Sequence, residues 1–175
     1  MVYYAVDSVL IYAVTMTETN AAKTLLIVGH APSVNTRRLR DAVTTAARDS
    51  ADEAIVRISA QSPLDTMPGD VMTASAIILG TTENLGYMSG ALKDFFDRCY
   101  YQCLEQTQGL PYCLYIRAGH DGTATRRGVE TIVTGLRWRA VQDPLVCRGE
   151  WDESFIEQVA EIGSAMAVGL EAGIF

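Results

Sequence analysis

Basic residues are scarce in this sequence. Lys and Arg together number 14 against 21 Asp and Glu, which gives a formal net charge of −7. A domain that binds nucleic acid neutralises phosphates with a basic face and usually has a high isoelectric point. The shortage of positive charge argues against a nucleic-acid partner, so we expect small molecules and proteins as ligands.

The motifs of several common enzyme sites are also missing. The chain has neither the Gly-x-x-x-x-Gly-Lys-Ser/Thr loop of nucleoside triphosphatases nor the Gly-x-Gly-x-x-Gly loop of dinucleotide folds. It also lacks a Gly-x-Ser-x-Gly nucleophile elbow. A hydrolase that uses Ser33, His30 and Asp121 is therefore disfavoured.

Cysteine is rare, and its spacing matches no zinc pattern. No secretory signal is recognisable, so we expect reduced thiols and a cytoplasmic protein. Two of the cysteines would lie one helical turn apart, which suits a metal pair, but burial in the core is the favoured interpretation and no metal is expected. The four residues are Cys99, Cys103, Cys113 and Cys147.

The first residues are apolar but too few to span a bilayer. Met1 to Val14 lack a basic flank, and Asp7 interrupts them, so no membrane span or secretory signal is expected. One interpretation treats residues 1–22 as an arm outside the native domain, with translation beginning at Met16. The other has the arm packing on a partner subunit. Residues 23–175 are expected to form one domain.

From Thr24 onward, strand-like and helix-like segments alternate. Short apolar runs predict buried strands, and apolar residues at helical spacing predict amphipathic helices. Residues 59–70 are polar and contain helix breakers, so only a turn of helix is expected at 70–73. Such alternation favours a parallel sheet of five strands, order 2-1-3-4-5, with helices on both faces. The strands are predicted at 24–28, 54–58, 74–79, 111–118 and 138–146, and the main helices at 36–48, 90–103, 125–136 and 153–170.

In an open sheet of this kind, ligands bind beyond the carboxyl ends of the strands, where the winding direction reverses. The loops after strands one, three and four should meet there. The first, residues 29–36, leads into a helix whose amide groups and hydroxyls at Ser33 and Thr36 suit a monophosphate. The alternative is an ordinary helix N-cap, made by Ser33 or Asn35.

The other two loops are rich in glycine, which lets backbone approach a flat ligand. In the loop at 80–93, amides would bind a heteroaromatic edge while Tyr87 supplies apolar contact. Glu83 is a candidate general base or a rim carboxylate that caps the next helix. In the loop at 117–123, His120 would stabilise negative charge on a bound ring or would be an ordinary solvated histidine.

Three segments resemble the flavodoxin-like NAD(P)H-dependent FMN reductase superfamily. GTTENLGYMSGALKDFFDR, residues 80–98, resembles its flavin loop and following helix, and YIRAGHDGT, residues 115–123, its second flavin loop. The start of the first predicted helix resembles its phosphate loop. The resemblance covers the chain from Lys23 to the end. It departs from the usual pattern at Thr82, where proline is common, and at His30, where a hydroxyl residue is frequent.

The resemblance implies a flavodoxin-like three-layer sandwich and a flavin mononucleotide (FMN) site. The phosphate would be held by His30, Ser33, Asn35 and Thr36. The isoalloxazine ring would be held by Thr81, Thr82, Glu83, Asn84, Leu85, Gly86, Tyr87, Ser89, Ala118, Gly119, His120, Asp121 and Gly122. No side chain is assigned as catalytic beyond the tuning role of His120, because a flavin carries the chemistry itself.

The expected activity is an oxidoreductase that passes electrons from NADH or NADPH through FMN to a quinone or similar acceptor. Arg126 and Arg127 would attract the nucleotide phosphates, or would simply form a solvated helix end. The rival is an electron carrier that meets a redox protein partner through its acidic surface. A third version keeps the fold without flavin. A homodimer is expected from the family.

Overall fold

The computed structural model describes residues 22–175. The predicted arm at 1–22 therefore lies, except for residue 22, outside the described residues. None of the helices within 22–175 is both long and apolar enough to cross a bilayer.

The described chain alternates strands and helices in the predicted manner. The strands are β1 (Lys23–Gly29), β2 (Val56–Gln61), β3 (Ala76–Asn84), β4 (Tyr87–Met88), β5 (Pro111–Ala118), β6 (Arg139–Ala140) and β7 (Leu145–Arg148). The helices are α1 (Val34–Ser50), α2 (Pro68–Thr73), α3 (Gly90–Cys103), α4 (Thr123–Gly135) and α5 (Ser154–Glu171). Helix α2 has six residues and begins at Pro68, two residues before the turn predicted at 70–73, because proline suits the first position of a helix.

The sheet has the order β2-β1-β3-β5-β6, and β7 also pairs with β5. All these pairs are parallel. The short strand β4 pairs antiparallel with the last two residues of β3. The predicted order 2-1-3-4-5 is confirmed. Its reversal point lies between β1 and β3, whose registers match Gly29 with Gly80.

Successive residues of a strand point to opposite faces of the sheet. Both faces are apolar here, and helices cover both of them. Leu25 and Ile27 pack with α1 and α5, whereas Leu26 and Val28 pack on the side of α3 and α4. Helices α1 and α5 approach closely: a Cβ at Gly163 would lie 2.2 Å from the carbonyl oxygen of Val43. This three-layer packing fixes the strand ends from which the candidate loops leave.

The predicted fifth strand, 138–146, is wrong as a single element. Arg139–Ala140 pairs with the start of β5, and Leu145–Arg148 pairs with its end. Residues 141–144 lie outside the strands, with a bend at 141–142, and the last of them is Pro144, which has no amide hydrogen to donate. Two short segments therefore share the fifth position.

The first three strands also differ from the prediction at both ends. β1 is one residue longer at each end, β2 ends at Gln61 rather than Ile58, and β3 begins at Ala76 rather than Ala74. The second strand begins at Val56 rather than Ala54, because residues 53–55 form a turn that Asp52 holds through hydrogen bonds to following amides. The third strand continues to Asn84 because residues 81–88 form a hairpin that prolongs it. This hairpin was predicted only as a loop.

Candidate functional site

The three candidate loops lie side by side at one edge of the sheet. They follow β1, β3 and β5, which are consecutive neighbours in the strand order. The amide of His30 donates to the carbonyl of Gly80 at 2.9 Å, which ties the first loop to the base of the second. The predicted convergence of the loops is therefore present in the fold.

The first loop ends in a capping box at the start of α1. The Oγ of Ser33 accepts from the amide of Thr36 at 3.2 Å, and the Oγ1 of Thr36 accepts from the amide of Ser33 at 2.9 Å. This is the N-cap alternative considered from the sequence, with Ser33 as the cap. Both hydroxyls are thus oriented by the helix end.

The same loop retains features that suit an anion. The first turn of α1 contains no acidic residue. The amides of Val34 and Asn35 have no acceptor within residues 22–175, and they sit at the positive end of a 17-residue helix. Partial burial lowers the pKa of His30 from 6.5, so at neutral pH its ring is an uncharged donor. An anion here would be bound mainly by backbone.

The second loop is a β-hairpin with a two-residue turn. Leu85 and Gly86 both have positive φ, 53° and 74°, a backbone form whose twist matches the paired strands. The hydroxyl of Thr82 donates to Asn84 Oδ1 at 2.7 Å. Leu85 projects fully into solvent, and a Cβ at Gly86 would meet no atom within 4 Å. The tip is therefore backbone with open space beside it.

The base of the hairpin is a buried hydroxyl pair. The amide of Ser89 donates to Thr81 Oγ1 at 3.2 Å, and the two side-chain oxygens also lie 3.2 Å apart. Ser89 caps α3 through the amide of Leu92 at 3.2 Å. Both residues are almost fully buried. These two predicted site residues consequently support the hairpin from below.

The third loop is held to the hairpin by a carboxylate. The amide of His120 donates to Glu83 Oε2 at 2.8 Å, and the amide of Gly122 donates to Glu83 Oε1 at 3.2 Å. The sequence suggested that Glu83 caps the next helix, α3, but Ser89 does so instead. Glu83 uses two of the amides that the sequence assigned to a ligand ring.

Further contacts shape the third loop. Gly122 has φ of 71° at the N-cap of α4, and a Cβ there would lie 2.7 Å from Val146. Asp121 Oδ1 accepts from the amide of Thr123 at 2.9 Å, and this bond lowers the pKa of Asp121 below 3.8. Gly119 and the ring of His120 are exposed, whereas Ala118 is buried. The amides of His120, Gly122 and Thr123 are therefore all bonded to side-chain carboxylates.

Two residues outside the predicted site also fix these loops. Arg117 donates to the carbonyl oxygens of Ala118, Cys147 and Gly149, the last at 2.6 Å, and so ties the third loop to β7. The ring of Tyr115 is packed so closely against Gly80 that a Cβ there would lie 2.2 Å from it. In the sequence, these two supporting contacts are visible only as an arginine near a strand end and as a glycine and a tyrosine on neighbouring strands.

The side chain of Tyr87 packs against α4 on one side and is open to solvent on the other. A Cβ at Gly128 would lie 2.6 Å from its ring, so the glycine makes room for the aromatic side chain. Tyr87 still keeps 41% of its surface exposed. Arg126 pairs with Glu130 at 2.8 Å, whereas Arg127 is exposed and makes no ion pair within the described part of the chain.

The structure therefore brings the predicted site residues to one sheet edge in four different roles. The hydroxyl and buried residues support the loops: Ser33, Thr36, Thr81, Thr82, Ser89 and Ala118. The exposed backbone comes mainly from Asn84, Leu85, Gly86, Gly119, His120 and Asp121. His30, Asn35 and Tyr87 flank this backbone, while Glu83 and Gly122 bond to each other.

No protein-family model matches this sequence, and no curated protein matches it either. Solved structures do match. A flavodoxin from the domain Archaea aligns with a TM-score of 0.71 at 15% identity, over 85% of this chain and 99% of its own. A flavodoxin, WrbA-like protein from Agrobacterium tumefaciens aligns with a TM-score of 0.66 at 15% identity, over 86% and 99%.

An oxidoreductase from Corynebacterium diphtheriae aligns with a TM-score of 0.62 at 13% identity, over 87% of this chain and 96% of its own. At such identities the likeness concerns the fold. The fold is flavodoxin-like, as the sequence predicted.

Proposed function

We propose that this chain binds FMN at the carboxyl edge of β1, β3 and β5 and acts as an NAD(P)H-dependent oxidoreductase. Its electrons would go to a quinone or a similar small acceptor. The observation that carries the proposal is the convergence of three loops that offer exposed backbone beside the reversal point of the sheet. A cytoplasmic location and a homodimer belong to the same proposal.

The residues present fit such a ligand. The phosphate would lie at the start of α1, where the amides of Val34 and Asn35 are available and no acidic residue opposes it. The ring would lie beside Gly86 and Gly119, where a Cβ would meet no atom within 4 Å. Glu83 occupies two donors that the ring would use, the amides of His120 and Gly122.

When bound, FMN would supply hydride and electron transfer, and the chain would supply binding and orientation. The hairpin tip and the third loop would hold the ring edge through amide groups. His30 would donate one ring N–H toward the phosphate. Arg127, exposed in the first turns of α4, would attract a nucleotide phosphate. Arg126 is a weaker candidate because Glu130 already pairs with it.

An electron carrier without nicotinamide activity is the second candidate, and the net charge of −7 favours it. An acidic surface steers association with a basic redox protein. In that case Leu85, fully exposed at the hairpin tip, would lie in the contact with the partner.

The first test is flavin binding by fluorescence quenching, with FMN and riboflavin compared. If the start of α1 holds the phosphate, FMN should bind about tenfold or more tightly than riboflavin, the effect of a charge-assisted hydrogen bond. Thr36→Val should reduce this ratio, whereas Thr45→Val, exposed on the same helix, should leave it unchanged. Equal affinity for the two flavins would contradict the phosphate assignment.

The flavin-loaded protein, mixed anaerobically with NADH or NADPH, then distinguishes the two functions. Bleaching of the flavin absorbance within seconds supports the reductase. Bleaching by dithionite alone supports the carrier. A protein that binds neither flavin would retain the fold without the proposed function.

A further inference from the structure

The carboxylate of Glu83 links two of the candidate loops. Glu83 is half-buried near the end of β3, and its two oxygens accept from the amides of His120 and Gly122 at 2.8 and 3.2 Å. The acceptor and the donors are 37 and 39 residues apart in the chain. The contact is therefore made by the tertiary fold, at the centre of the loop cluster.

Chemically, this contact resembles a ligand held by a backbone site. Two amide groups point at one acceptor group that carries negative charge, an arrangement that strengthens both hydrogen bonds. The pyrimidine edge of a flavin presents carbonyl oxygens, which are acceptors of the same kind. An amide hydrogen aimed at a carboxylate is not free to bind a ring carbonyl, so Glu83 and the ring would compete for it.

The hairpin does not need this contact to keep its shape. The backbone of Glu83 pairs with Met88, and Asn84 pairs with Tyr87, so the ladder holds the strand while the side chain can rotate. Ser89 and Thr81 fix the base of the hairpin separately. Release of the carboxylate therefore requires side-chain rotation alone.

We propose that Glu83 is a carboxylate latch on the flavin site: it occupies the amides of His120 and Gly122 until the ring displaces it. The inference rests on the proposed function. It assigns Glu83 a positioning role, in which the residue tunes the affinity for the ring and takes no part in binding the phosphate.

The test compares flavin affinity in the full chain and in two variants at Glu83. Glu83→Ala frees both amides and should bind FMN on the order of tenfold more tightly, the equilibrium effect of about one such hydrogen bond. Glu83→Gln keeps an acceptor oxygen without the charge, so its affinity for FMN should lie between those of the parent chain and Glu83→Ala. Glu161→Ala, which removes an exposed carboxylate on α5, is the matched control and should leave affinity unchanged.

Riboflavin provides the readout that a general loosening of the loop would not give. A latch acts on the ring, so Glu83→Ala should raise the affinities for FMN and riboflavin by the same factor. Amide hydrogen exchange at His120 and Gly122 should be faster in the flavin-free Ala variant than in the parent chain. Both residues should regain protection when flavin is added.

Each other outcome rejects the latch. Weaker flavin binding by Glu83→Ala would mean that the carboxylate supports the third loop, and unchanged binding would mean that the amides are not part of the site. In both cases the proposed function survives, since the parent chain binds flavin. If neither the parent chain nor either variant binds a flavin, the proposed function and the latch fail together.

Discussion

Thr125 is a residue whose burial lacks a compensating hydrogen bond. It lies in the first turn of α4 with no exposed surface, and its hydroxyl has no partner within residues 22–175. Thr44 is similarly buried in α1, but its hydroxyl donates to the carbonyl of Arg40 at 2.7 Å. Comparing the two threonines therefore measures how much an unpaired buried hydroxyl costs in stability relative to a paired one.

We expect Thr125→Val to stabilise the protein by about 1 kcal/mol, because it replaces an unsatisfied buried hydroxyl with a methyl group of similar size. Thr44→Val should destabilise it by about 1 kcal/mol, because it removes a hydrogen bond and leaves a carbonyl less well satisfied. The measurement is the free energy of unfolding in urea for each variant. A loss of stability in Thr125→Val would show that its hydroxyl has a partner in solution.

At the scale of elements, α1 is joined to the start of α5 by an ion pair. The two terminal guanidinium nitrogens of Arg38 donate to the two carboxylate oxygens of Glu153, and the indole of Trp151 donates to Glu153 at 2.8 Å. The guanidinium also lies 5.3 Å from the centre of the Trp151 ring. The hydrogen bond from Arg38, followed by that from Trp151, lowers the pKa of Glu153 from 4.5 to about 2.

Because the pKa of Glu153 is lowered by folding, the free energy of unfolding should decrease as the pH falls. The folded state prefers ionised Glu153, so its contribution is complete above pH 4.5 and is lost as pH falls towards 2. The difference in unfolding free energy between the parent chain and Glu153→Gln should shrink over this interval. Urea unfolding at several pH values measures it. A difference that stays constant from about pH 5 to pH 2 would refute the assignment.

At the same scale, the sequence located most elements because their signals are local. The boundaries of α3 and β5 match the prediction at every residue, since Ser89 caps the helix and a continuous apolar run forms the strand. The hairpin at 81–88 escaped prediction because Leu85 occupies a positive-φ position that leucine rarely adopts. Its pairing of Glu83 with Met88 and of Asn84 with Tyr87 follows from that turn, which the residue types alone did not indicate.

At the scale of the whole molecule, the four cysteines are divided between the two faces of the sheet. Cys99 and Cys103 lie on the buried side of α3, whereas Cys113 and Cys147 lie in the core between the sheet and helices α1 and α5. All four are buried and unpaired with one another. Burial raises the pKa of Cys99 and Cys147 to about 11, that of Cys113 to about 12, and also that of Cys103.

Because only the thiolate reacts readily, the folded protein should be almost inert to a thiol reagent at pH 8. If the two layers unfold as one cooperative unit, all four cysteines should become reactive at the same urea concentration. Labelling followed by mass spectrometry of peptides measures each site. Reaction of Cys99 and Cys103 at lower urea than Cys113 and Cys147 would show that the two faces open separately.

The sequence by itself determined the alternation of strands and helices, the strand order and the meeting of three loops, since hydrophobic period and crossover handedness are properties of short segments. Only the tertiary structure decided which groups in those loops are free. Glu83, His120 and Gly122 are far apart in the chain, and their contact exists because neighbouring β3 and β5 end side by side. Folding likewise split the fifth strand, because pairing along β5 depends on which backbone amides reach it.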